Sequence, residues 1–152
     1  ILANASDKDR LKNFVNFYNR LMLKEGHLSK LEREMIAVVV SSCNKCFYCL
    51  IAHGAAVRQL SKNQYLGDEL MINYRSASLN KRHKLMLDFS FKLTENPSKV
   101  DNSDRNILRE AGFSEEEILE IVEVASFFNM SNRIAAGTDM RPNAEYHNMG
   151  RE

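Results

Sequence analysis

Two thiols and an imidazole stand close together in the run Cys43-Asn44-Lys45-Cys46-Phe47-Tyr48-Cys49-Leu50-Ile51-Ala52-His53, which holds all three cysteines of the chain and one of its four histidines. At about 100° per residue, a helix sets Cys46 and Cys49 about 60° apart and Cys49 and His53 about 40° apart, so all three share one face. A Cys-x-x-Cys pair opening a helix suits thiol–disulfide chemistry. The free N–H groups of the first turn and the helix dipole favour the reactive thiolate. An imidazole one turn beyond Cys49 can take up or return its proton. Two arguments differ over which sulfur attacks: the dipole is strongest at Cys46, whereas the i, i+4 base favours Cys49. A positioned base acts on one thiol specifically, so Cys49 is the expected nucleophile.

The same run offers a second reading. Cys43-x-x-Cys46-x-x-Cys49-x-x-x-His53 supplies four ligands, enough for a Cys₃His zinc site or an Fe–S cluster. Cluster-binding runs need irregular backbone for the sulfurs to converge, and this one is flanked by helical periodicity and lacks glycine and proline. Structural zinc sites usually draw on two separated ligand pairs, which the chain lacks. No metal or other cofactor is therefore expected, and a redox-sensing or metal-binding protein without turnover is the alternative. Cys43, at the end of an apolar segment, is expected to be core packing.

The elements that position these residues read as helices almost throughout. Asp7 to Lys24 carries an apolar stripe through Leu11, Phe14, Val15, Tyr18, Leu21 and Met22, ended by Gly26. Ser29-Lys30-Leu31-Glu32 is a capping box that opens a second helix, which turns near Asn44-Lys45. A third is expected from Cys46 to Leu60, then others near Lys62–Asn73, Leu79–Glu95 and Ser103–Ala111. Asn96-Pro97 and Gly112 supply two of the stops. Ser114-Glu115-Glu116-Glu117 opens a long helix to Ala136 or Gly137. The tail from Thr138 has little periodicity and one exposed-looking aromatic, Tyr146. The expected architecture is all-α, six to seven helices in a single domain over residues 1–152, with the tail 138–152 available to a subunit interface.

Composition narrows the partners. The 152 residues, 44% hydrophobic, can bury a core without disulfide staples. With 21 basic and 20 acidic residues, the net charge of +1 marks neither a nucleic-acid face nor an anionic-membrane face. The longest apolar stretch, Met35 to Val40, is too short to span a bilayer. Three clustered cysteines do not make a secreted disulfide framework, so a cytoplasmic location is expected. His27 and His83 read as solvated, His147 lies in the tail, and Arg58 is a candidate ion-pair partner.

The spaced set Glu34, Ser42, Asn44, Cys46, Tyr48, Cys49 and His53 resembles the alkylhydroperoxidase D (AhpD)-like family of the carboxymuconolactone decarboxylase superfamily. The tail Pro142 to Arg151 resembles its peroxidase-related subgroup. The resemblance implies an all-α bundle with the Cys-x-x-Cys at a helix N-terminus, assembled as trimers or hexamers. It also implies thiol-dependent reduction of a peroxide, or of a disulfide, with an external dithiol as reductant. By motif position Cys49 would be oxidised to sulfenic acid. Cys46 would be its proton donor and resolving partner, Glu34 and His53 would form a proton relay, and Ser42 and Tyr48 would support them. Taken alone, Glu34 reads as a solvated helix-surface charge; only the pattern singles it out. Members of the family often carry a histidine where this chain has Tyr48. A phenol titrating near ~10 can donate a hydrogen bond there but is no base at neutral pH. Lactone decarboxylation, the superfamily's other chemistry, does not need redox cysteines.

Overall fold

The computed structural model describes residues 7–151; residues 1–6 and 152 of the expected domain lie outside it. Seven α-helices follow in order: α1 (Lys8–Tyr18), α2 (Lys30–Cys43), α3 (Phe47–Ser61), α4 (Leu66–Asn73), α5 (Lys81–Glu95), α6 (Asn102–Glu110) and α7 (Glu115–Gly137). There is no strand among the described residues. Short 3₁₀ turns follow α4 and α5, and another (Ala144–His147) lies in the tail. The first expected helix, Asp7 to Lys24, is divided: α1 widens into a π turn over Asn19–Leu23. There the buried Arg33 draws on two freed carbonyls, Nη1 donating to Leu21 O at 2.7 Å and Lys24 O at 2.9 Å.

The architecture is organised around α2. Every residue from Glu32 to Ser41 is buried; the run Met35–Val40 is apolar on all sides, as a core helix requires, and α3, α4, α5 and α7 pack around it. Its start is fixed by the Ser29–Glu32 capping box. The matching Ser114–Glu117 box fixes α7. Arg82, at the start of α5, joins the two boxes by binding both Glu32 and Glu117, and its guanidinium lies 3.7 Å from the centre of the Phe113 ring. His83 is not solvated as its charged neighbours suggest. It is half-buried, with Nε2 3.5 Å from Glu32. Glu120 of α7 secures the loop before α2, accepting from His27 N at 2.7 Å and Leu28 N at 3.2 Å.

The connections have local causes. Helix α6 closes in a Schellman motif: Gly112 adopts φ +88, its N–H reaches Arg109 O at 2.9 Å, and Phe113 N reaches Leu108 O at 3.1 Å. Between α2 and α3 the turn is made by Lys45 at φ +54, a left-handed residue that reverses the chain within two positions. Cys46 follows in extended conformation as the N-cap of α3, its N–H donating to Ser41 O at 3.0 Å. Cys46 thus lies just ahead of the first helical turn rather than inside it.

Candidate active site

Cys46 caps helix α3, which carries Tyr48, Cys49 and His53 along its first two turns; α2 supplies Glu34, and α7 closes the site from the far side. Glu34 is buried, not solvated, and its Oε2 lies 2.6 Å from His53 Nδ1. That contact occupies Nδ1 and leaves Nε2 as the nitrogen free to exchange a proton. The Phe128 ring meets the imidazole edge-on, with centroids 4.5 Å apart. A carboxylate–imidazole pair held this tightly and shielded from bulk water can pass one proton between defined atoms.

Cys46 and Cys49 are 4% and 1% exposed and form a cluster with Ala135 of α7, against which Tyr48 and Met140 pack. Burial pushes the Cys49 thiol up to about 12, and its hydrogen bond with Cys46 acts in the same direction; Asn132 and Ser41 oppose both. The Cys49 thiol therefore keeps its proton at neutral pH in the reduced protein. Cys43 is only half-buried, at the last turn of α2, and is not the core residue its apolar neighbours suggest. Burial raises its thiol as well. No group of three or more His, Cys, Asp or Glu side chains among the described residues is arranged to hold a metal.

A cavity of about 590 Å³ opens beside this centre. Its walls are largely apolar, from Leu11, Phe14 and Val15 of α1, Ala52 and Ala56 of α3, and Phe127 of α7, with Glu34 and His53 at the polar end. Tyr18, Tyr48 and Tyr146 line it too. Burial raises the phenols of Tyr18 and Tyr48, and the neighbouring Tyr146 adds to both, so these groups are hydrogen-bond donors rather than bases. Neither Cys46 nor Cys49 lines the cavity. Tyr48 and Met140 pack on the cysteine pair and also line the cavity, so they separate the two.

Tyr146 is half-buried rather than exposed because the tail is clamped. Arg58 of α3, 2% exposed, donates from Nε to Met149 O at 2.9 Å and from Nη2 to Tyr146 O at 3.0 Å. Asp68 lies 3.5 Å from Arg58 and takes both arms of Arg151 at 2.8 and 2.9 Å. Gly150, at φ +72, passes so close that a Cβ there would lie 2.7 Å from Arg58 Cβ. The tail thereby forms one wall of the cavity through Tyr146 and Met149.

Ser42 does not join the site: its hydroxyl donates to Met71 O at 2.6 Å and ties α2 to α4. Its neighbour Ser41 does, together with Asn132, whose Nδ2 donates to Ser41 Oγ at 2.9 Å. Asn44 stands behind them, donating to Asn132 Oδ1 and Asn129 Oδ1 at 3.0 Å each. Ser41 and Asn132 went unread in the sequence, although a signal existed. Ser41 follows Glu34 by two helical turns on the same face, and Asn132 interrupts an otherwise apolar face.

Comparison with known proteins places the chain in a family. The model of the carboxymuconolactone decarboxylase family matches residues 9–64, which include Glu34, Cys46, Cys49 and His53. A crystal structure of an uncharacterized peroxidase-related protein from Silicibacter sp. TM1040 shares 55% identity at TM-score 0.95, over 98% of this chain and 78% of that one. An uncharacterized peroxidase-related protein from Ralstonia eutropha JMP134, described as an alkylhydroperoxidase AhpD core, shares 41% identity at TM-score 0.92, over 95% and 76% of the two chains. The debrominase Bmp8, in complex with 2,3,4-tribromopyrrole, has the same fold at 18% identity and TM-score 0.80, over 94% and 75%. No curated protein matches the chain.

Proposed function

Because this chain belongs to the AhpD-like branch of the carboxymuconolactone decarboxylase superfamily, we propose that it is a thiol-dependent peroxidase or disulfide reductase working through Cys46 and Cys49. The observation that carries the reading is the buried dithiol beside a Glu34–His53 pair 2.6 Å apart at the polar end of an apolar cavity.

The cycle balances in three steps. Cys49 passes its proton to Nε2 of His53 as its sulfur attacks the terminal oxygen of a hydroperoxide. The O–O bond breaks, Cys49 becomes a sulfenic acid, and the departing alkoxide takes a proton from His53, which Glu34 holds in position. The Cys46 sulfur then displaces water from the sulfenic acid and a Cys46–Cys49 disulfide forms. An external dithiol reduces that disulfide by exchange and leaves as a disulfide itself. Burial and the Cys46 contact keep the proton on Cys49 at rest, so deprotonation accompanies attack instead of preceding it. The apolar walls suit an organic hydroperoxide over a fully hydrated one. Trimers or hexamers and a cytoplasmic setting complete the proposal. Among the described residues, no helix is long and apolar enough to cross a membrane.

The test is to treat the reduced protein with peroxide and trap sulfenic acid with a dimedone probe in Cys46→Ser and Cys49→Ser. Label on Cys49 in Cys46→Ser, and none in Cys49→Ser, is expected. Labelling in the opposite pattern reverses the roles. Absence of a Cys46–Cys49 disulfide in the parent protein, or of steady peroxide consumption with a dithiol, ends the peroxidase reading and leaves a redox-sensing protein without turnover.

A further inference from the structure

The buried donors of Asn132 and Ser41 exceed the acceptors that oxygen and nitrogen offer them. Asn132 is 1% exposed and Ser41 is fully buried. The amide orientation of Asn132 is fixed by its neighbours: Oδ1 accepts from Asn44 and Nδ2 donates to Ser41 Oγ. One N–H of Asn132 is thereby used, and the second has no oxygen or nitrogen acceptor among the described residues. Ser41 Oγ serves as acceptor in that bond, so its own O–H is also left to donate. Buried donors are rarely left unmatched. Asn132 lies one helical turn before Ala135, which clusters with the two thiols, and Ser41 O already holds the Cys46 N–H. The remaining partner of both side chains is the Cys49 sulfur.

We infer that Asn132 and Ser41 form a donor pair for the Cys49 sulfur, placed to hold the negative charge that develops there as the proton leaves. Both groups lower the Cys49 thiol against the effect of burial. Asn44 sets the pair by fixing the Asn132 amide, and its own amide is set by Asn129 Oδ1. The arrangement divides the labour at the site. Glu34 and His53 move protons at the cavity, while Ser41 and Asn132, on the side toward α7, stabilise the sulfur that must ionise.

The inference rests on Cys49 being the attacking thiol, but its test needs no peroxide. Reduced protein is alkylated with iodoacetamide between pH 7 and 10, and the rate at each cysteine is read by peptide mass spectrometry. Ser41→Ala and Asn132→Leu should each slow Cys49 by about tenfold at every pH, the effect of one lost hydrogen bond to a charged sulfur. Ser41→Thr, which keeps the hydroxyl, should stay near the parent rate. A merely structural role would act in the opposite direction, since a loosened core exposes Cys49 and speeds its alkylation. Ser41→Ala is a small change that the core accommodates, so it decides the matter if Asn132→Leu does not fold. An unchanged or faster Cys49 rate in Ser41→Ala, or a slowing confined to Cys46, overturns the inference. Peroxide-driven disulfide formation is a separate readout: its absence ends the peroxidase reading while the alkylation rates still decide the donor pair.

Discussion

In the reduced protein Cys49 should be far less reactive toward an alkylating agent than an ordinary cysteine, and the deficit can be stated. Burial and the hydrogen bond with Cys46 push its thiol from the ordinary 9.0 up to about 12. Below pH 9, that difference of about three pH units leaves about a thousandfold less thiolate, the species that alkylates. The Cys49 rate constant should therefore lie about a thousandfold below that of an exposed cysteine at the same pH. It should also rise tenfold per unit to beyond pH 11. Cys46→Ala removes the Cys46 contribution and leaves burial, so the Cys49 rate at pH 8 should increase. Quenched alkylation followed by peptide mass spectrometry resolves the three cysteines. A Cys49 profile that levels off at or below pH 9 would refute the reasoning. A thiol raised in the folded state also links to stability. Its contribution is whole below about pH 9 and is lost as pH climbs toward 12, so alkaline unfolding should be steeper in the parent than in Cys49→Ala.

Glu34→Gln and His53→Asn should each lower peroxide turnover by about 10²–10⁴-fold, and the double variant should be little worse than either single, because the two side chains act as one unit; additive losses in steady-state kinetics would dissolve the relay. Burial alone would raise the Glu32 carboxyl, but hydrogen bonds from His83 and Ser29 and the Arg82 charge bring it from 4.5 down to about 2. Its contribution, on the order of 3 kcal/mol, is whole above about pH 4.5 and lost as pH falls toward 2, so thermal melts across that window should flatten in Glu32→Gln. Arg58→Ala strips the tail carbonyls of their donor and should cost about 2–4 kcal/mol of stability by denaturant titration. It should also raise KM for bulky hydroperoxides, since Tyr146 and Met149 then no longer wall the cavity; an unchanged KM would detach the tail from substrate binding.

Local signals in the sequence located the helices well. The capping boxes at Ser29 and Ser114 place α2 and α7, and Gly112 marks the end of α6, because each of these features is decided within one turn of chain. The π turn after Tyr18 was not legible, since its cause is Arg33 reaching back from α2 to carbonyls of another element. The same distinction runs through the site. Cys46, Cys49 and His53 meet by helical spacing alone, which the sequence displays. Glu34 comes from a different helix, and only the family pattern draws attention to it. Ser41 was passed over for Ser42, although helical phase puts Ser41 on the face of Glu34 and turns Ser42 toward Met71. Asn132 lies in the last long helix and reaches the thiols only through folding. Tyr146 looked exposed because nothing local predicts that Arg58 will hold the tail down. Residues set by periodicity can be read along the chain; residues set by packing between distant segments need the fold.

The partition formed by Tyr48 and Met140 bears on how the reduced protein ages. An oxidant that only diffuses through water meets neither the Cys46 nor the Cys49 sulfur, and one that fills the cavity still faces two side chains before it reaches them. Encounter with the dithiol is thus tied to movement of that wall rather than to oxidant concentration alone. Stray oxygen species in the surroundings should consume the thiols slowly, and the sulfinic and sulfonic dead ends, which need repeated hits on one sulfur, should be rarer still. Half-buried Cys43, outside the partition, would then record oxidative wear first, and its modification state would report the history of a sample whose working pair is still intact.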